Sequence, residues 1–173
     1  MAKPEAWLRG PVEGIPPQLQ PVAHSLLQCR EEVDTHVPGL TPDQLWARPG
    51  GAAAIGYHVR HAAGSLDRLF TYARGESLSP EQMSAFKAEG EPDMQEGAAA
   101  RLVEHFYRAV EAALEQLRRA DTSTLLDFRG VGRAQLPSTM LGLLFHGAEH
   151  AQRHMGQMVT TVKITTSNAT VAK

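Results

Sequence analysis

Three histidines, His146, His150 and His154, follow one another at four-residue intervals in a chain that holds eight histidines among 173 residues. Residues four apart lie on one helix face, about 40° apart around the axis, with side chains roughly 5–6 Å from each other. Two imidazoles at that spacing can grip one metal ion. A second pair, His58 and His61, lies far upstream. A metal site joining two helices is therefore the sharpest chemistry these residues offer. A buried imidazole needs partners for both ring nitrogens. A divalent ion takes one lone pair and leaves the other nitrogen free to donate to a neighbour. The plainer reading is a set of hydrogen-bonded, half-exposed histidines, the usual state of a lone histidine.

Two other metal architectures are excluded. A zincin requires Glu directly after the first His of its pair, but Gly147 follows His146 and Ala151 follows His150. A ferritin-like di-iron site requires Glu-x-x-His, yet Gln152 stands three residues after Glu149, and no Glu in the chain has His at that offset. A mononuclear, all-nitrogen site remains, with either His58 or His61 joining a pair from the ladder. Three neutral imidazoles leave a coordination position open, which is the catalytic pattern. Water bound there becomes more acidic, and a thiol is held as thiolate. Metal-assisted hydrolysis and transfer of a thiol to an electrophile are the two reaction classes. A fourth ligand, from His58 or His146, would close the site into a structural clamp.

Other polar residues carry less. Glu149 precedes His150 by one residue, so it faces away from the ladder. Tyr57 and Asp67 lie near the upstream pair and read as packing or surface groups. Arg60, Arg68 and Arg153 read as surface charges, and Cys29 as a small core residue.

The elements that must position the histidines are helical. Leu19, Val22, Ala23, Leu26, Leu27 and Val33 make one stripe of a helix over 17–35. Thr41-Pro42-Asp43-Gln44 is a capping box for a short helix. A second long helix spans 53–74, with His58 inside its stripe of Ile55, Val59, Ala62, Leu66, Leu69, Phe70 and Ala73, and His61 flanking it. Ser79-Pro80-Glu81-Gln82 opens a short helix or turn that Gly90-Glu91-Pro92 breaks. A third long helix covers 94–120 with a stripe of Leu102, Val103, Phe106, Val110, Ala113, Leu114 and Leu117. Residues 121–137 form a long, partly extended connection. Ser138 caps a fourth helix, which carries the ladder and reaches about residue 162. The expected division is an N-terminal arm over 1–16, a four-helix bundle over 17–163 and a frayed polar tail over 164–173.

The bulk numbers agree with an all-α protein. The chain is long enough for one domain with a real core. It carries a net charge of −2 with no basic tract, so nucleic-acid binding has no electrostatic footprint. Its one cysteine, Cys29, cannot form an internal disulfide. No apolar run approaches the ~20 residues that span a bilayer, and the first residues lack a signal-peptide core. A cytoplasmic protein is the expectation. The sequon Asn168-Ala169-Thr170 is read as chance.

The stretches His58-Val59-Arg60-His61-Ala62-Ala63-Gly64-Ser65-Leu66-Asp67-Arg68-Leu69 and His150-Ala151-Gln152-Arg153-His154-Met155-Gly156-Gln157 resemble the DinB/YfiT-like superfamily, over roughly residues 17 to 163. The resemblance implies a four-helix bundle of up-down-down-up topology and a homodimer. It also implies a three-histidine metal site, one His from the second helix and an HxxxH pair from the fourth. Residue by residue, it assigns His61, His150 and His154 as metal ligands and leaves His58 and His146 one turn away, as pocket liners, alternative ligands or proton carriers. Met155 stands where the family commonly has Arg. The family includes S-transferases that use low-molecular-weight thiols and members proposed as hydrolases. It implies a small-molecule substrate, a divalent metal (zinc or nickel first, then iron, cobalt or manganese), and neither nucleic acid nor membrane as partner.

Overall fold

The fold is that of a computed structural model describing residues 3–171. Its long helices are α1 (Gln20–His36), α3 (Ile55–Ala73), α5 (Ala98–Arg118) and α6 (Met140–Val171), with two short ones, α2 (Pro42–Trp46) and α4 (Pro80–Lys87), between them. A two-stranded antiparallel hairpin, β1 (Phe128–Val131) and β2 (Leu136–Thr139), joins α5 to α6 and pairs Phe128 with Thr139 and Val131 with Leu136. The protein is thus mostly helical, with one small sheet.

The stripes read from the sequence form one core. Val22, Leu26, Val33, Val59, Leu66, Phe106, Val110, Leu114, Leu144, Met155 and Met158 are all buried within it. In the principal packing, α6 lies against α3 and α1, and α5 lies against the same two helices from the other side. Matching contacts fix the register. His58 meets His154, His61 meets His150, and a side chain at Gly147 would meet Leu66 and Phe70. Across the other faces Cys29 bonds Gln152, Arg30 pairs with Glu111 and stacks on Tyr107, and Gln116 donates to Phe70 O at 3.0 Å.

Local chemistry sets the helix ends. Both capping boxes form: Thr41 Oγ1 accepts from Gln44 N, and Ser79 Oγ from Gln82 N, each at 3.2 Å. Gln82 also donates to Asp67 Oδ2 at 2.7 Å and to Thr71 Oγ1 at 2.9 Å, tying α4 to α3. The structure departs from the sequence reading in several places. α5 begins at Ala98 rather than near 94, because Gly97 takes a left-handed φ of +78° and Arg101 folds back onto Asp93. The cap of α6 is Thr139, whose hydroxyl accepts from Gly142 N at 3.0 Å; Ser138 belongs to β2. α6 continues to Val171, past the expected stop near 162. Thr160 and Thr161 turn their hydroxyls back to the carbonyls four residues earlier, at 3.0 and 2.9 Å, and so satisfy themselves without leaving the helix. The N-terminal segment is an arm tethered to α1. It carries a 3-10 turn over Ala6–Leu8, Ala6 is buried with its N–H donating to Gln28 Oε1, and Lys3 and Arg9 both pair with Glu31.

Candidate metal centre

The histidines converge where α3 and α6 pack together. One nitrogen from each of His61, His150 and His154 lies within 4.8 Å of the others. His61 Nε2 and His150 Nε2 stand 3.1 Å apart. Two nitrogens bound to one tetrahedral zinc at 2.0–2.1 Å each would be separated by about 3.3 Å, so this pair already has ligand spacing. The ring of His154 lies 4.6 Å from that of His150 and 4.7 Å from that of His61, centroid to centroid. The three rings belong to different helical turns, brought together because the register of α3 against α6 matches His61 to the gap between His150 and His154.

The two remaining histidines separate clearly. His58 is 5% exposed and places its Nδ1 3.0 Å from His154 Nδ1. It engages His154 and stands outside the convergent triad. His146 is exposed, with its Nδ1 3.4 Å from Glu149 Oε2. Glu149 itself faces solvent and pairs with Arg153 at 2.6 Å. The other three histidines have ordinary roles or positions. His24 donates to Gly10 O and His36 to Glu32 O, both at 2.9 Å, and His105 is exposed.

Burial favours the neutral form of His154, His58 and His150. His154 is lowered from 6.5 to about 3, first by desolvation and then by repulsion from His61, His150 and His58. Desolvation likewise lowers His58, helped by His61, and His150, helped by His61 and His146. Neutral imidazole is the ligand form. His150 Nδ1 is buried with no hydrogen-bond partner among the described residues. An orphaned buried nitrogen in a native fold calls for an explanation, such as an ordered water; the ring's other nitrogen, Nε2, is the one that faces His61. The donor set, the 3.1 Å spacing and the lowered values of His150 and His154 all fit a divalent transition metal.

Two neighbours, Glu89 and Ser65, escaped the sequence reading, and a third, Tyr57, was read there only as a packing or surface group. Glu89, 4% exposed, lies just beyond α4, and its Oε2 accepts from His61 Nδ1 at 2.6 Å. Ser65 Oγ stands 3.2 Å from His61 Nε2. Tyr57 stacks on His61 with ring centroids 5.2 Å apart and planes 10° from parallel. The one sequence signal for Glu89 is indirect: Gly64, an isolated glycine inside a helical stretch, marks a close approach. Arg60 and Arg68 are not free surface charges. Arg60 donates to Ala88 O and Glu91 O and stacks on Trp46, and Arg68 pairs with Glu89. Asp67 accepts from Gln82, as a packing group would. Cys29 is a core thiol, fully buried and pushed up to about 12 by desolvation.

A cleft of about 700 Å³ opens beside the triad, lined by Tyr57, His58, His154, Gln157, Thr160 and Ile164 among others. Of the three converging histidines, His154 lines this cleft.

The sequence pattern of the DinB superfamily matches residues 25–158, which include all five histidines of the cluster. The chain belongs to the DinB superfamily. No curated protein matches it by sequence. No described helix is long and apolar enough to cross a membrane.

Proposed function

We propose that this protein is a metal-dependent enzyme in which His61, His150 and His154 hold one divalent transition metal, zinc or nickel in first place, then iron, cobalt or manganese. The observation that carries the proposal is the convergence of three imidazoles, with His154 lining an open cleft. The ion, when bound, supplies Lewis acidity and holds a thiol or water in its deprotonated form. The chain's own residues do the rest. The α3–α6 register brings the three rings together, Tyr57 shields His61 on one face, and the cleft admits a small molecule from the His154 side. The reaction is thiol-dependent S-transfer, with a low-molecular-weight thiol as co-substrate, or hydrolysis.

The up-down-down-up order of the bundle is part of the same reading. It is supported by contacts that run in opposite directions along α3 and α6 (58 with 154, 61 with 150) and along α1 and α5 (30 with 111, 34 with 107). They run in the same direction along α1 and α6 (25 with 148, 29 with 152). The reading includes a cytoplasmic homodimer with neither nucleic acid nor membrane as partner.

A non-catalytic, metal-stabilised bundle is the second reading. It requires a fourth protein ligand. Against it, His58 turns its Nδ1 to His154 rather than into the triad, and His146 is at the surface. Metal-loaded protein should conjugate a thiol to a chlorinated aromatic electrophile, or hydrolyse an activated ester or amide, above the rate of a His150→Ala variant. Equal rates in both proteins would remove the enzymatic reading, and a large loss of melting temperature on chelation would then favour the structural one.

A further inference from the structure

His61 differs from its two companions in what stands behind it. Its Nδ1 faces the carboxylate of Glu89 at 2.6 Å, whereas His150 Nδ1 has no partner among the described residues and His154 Nδ1 faces another imidazole. A carboxylate can only accept, so the proton of a neutral His61 sits on Nδ1 and its Nε2 lone pair points toward His150.

Several features fix that carboxylate. The side chain of Glu89 is only 6% exposed, and burying a charge is costly unless it is paired. Arg68 Nη1 donates to Glu89 Oε1, and Arg68 Nη2 donates to Ser65 Oγ at 3.1 Å. The guanidinium of Arg68 lies 4.3 Å from the ring centre of Phe86 on α4. Arg60 grips the backbone on both sides of Glu89 through Ala88 O and Glu91 O. On the helix beneath, a Cβ at Gly64 would collide with Glu89 Oε1 and come within 2.8 Å of Arg68 Nη1. The missing side chain is a notch in α3 that admits the carboxylate. If Glu89 served only to pin the segment after α4, the ion pair with Arg68 would suffice. Its other oxygen is aimed at His61.

We propose that Glu89 is a positioning residue, held by Arg68 and admitted by Gly64, which sets the tautomer and orientation of His61 for metal binding. This rests on the metal-site reading above. Outer carboxylates of this kind change metal affinity by about 10–100-fold when removed.

The test compares wild type, Glu89→Gln and Gly64→Ala. The second variant keeps the carboxylate but displaces it, and so guards against a folding defect in the first. Zinc affinity is measured by competition with a chromophoric chelator. The tautomer of His61 in metal-free protein is read from long-range proton–nitrogen NMR correlations. Both variants should bind zinc about 10–100-fold more weakly, and the wild-type ring should carry its proton on Nδ1, with the Nε2–H form gaining population in the variants. Zinc affinity within twofold of wild type in both, or an Nε2–H ring in wild type, overturns the assignment. A residue that merely pins the fold would lower the melting temperature of the variants and leave affinity and tautomer unchanged, which also overturns it. Wild type that binds no zinc removes the metal reading itself, a result distinct from tight binding that Glu89 does not influence.

Discussion

Acid should destabilise the metal-free protein well before its carboxylates titrate. His154 is lowered from 6.5 to about 3, and His58 and His150 are lowered in the same direction. Between about 3 and 6.5 the unfolded chain binds protons that the folded chain refuses, so stability rises with pH across that window. It is fully present above the unfolded value and is lost as pH falls. A histidine protonated only when unfolded, at about 6.5, costs the fold about 1.3 kcal/mol between pH 7 and pH 5.5. For His154, half-buried and coupled to its neighbours, the cost is reduced to about 1 kcal/mol; His58 and His150 add to it in the same direction. That is a measurable share of the 5–15 kcal/mol typical of a domain. Carboxylates with lowered values, such as Glu31 at about 2, titrate below the window. Urea unfolding of metal-free protein, followed by far-ultraviolet circular dichroism at pH 7.0 and 5.5, measures the loss. His154→Gln should shrink it by about 1 kcal/mol, the share of that ring. Equal or greater stability at pH 5.5 would refute the argument that burial holds these rings neutral.

Metal content should separate the histidines into two sets. His61→Ala, His150→Ala and His154→Ala should each abolish stoichiometric binding, whereas His24→Ala, His36→Ala and His105→Ala should retain it in elemental analysis of the purified variants. Cys29, buried and pushed up to about 12, should resist a thiol-specific disulfide reagent at pH 8 and react stoichiometrically once the protein is unfolded in guanidinium. Phe106→Ala, at a fully buried position where α5 meets the core, should cost about 3–5 kcal/mol in urea unfolding. Ser79→Ala, which removes the cap of α4, should cost about 1 kcal/mol in the same assay.

What the sequence made legible follows from what periodicity and spacing encode. The stripes of the four long helices were readable because burial repeats every 3.6 residues, and Val22, Leu66, Phe106 and Leu144 do lie at the core. Both capping boxes were readable because their chemistry is local. The end of α6 was not, since the apolar stripe fades after Val162 while the helix continues on threonines bonded to their own backbone. The hairpin of β1 and β2 was visible only as a partly extended connection, because its strands are four residues long and none of their residues is fully buried, so no apolar alternation marks a core face. At the site, the ladder announced itself by its spacing. Glu89 did not, because its approach to His61 crosses 28 residues and is set by tertiary packing through α4. His58 was readable as buried but not as the partner of His154 Nδ1, which depends on the register of α3 against α6.

Elemental analysis of protein purified without chelators and without a metal-affinity column tests the central claim most directly. The account predicts close to one transition-metal ion per chain, retained through gel filtration and lost in His150→Ala. Metal-free protein that also fails to take up added zinc or nickel at neutral pH would contradict it.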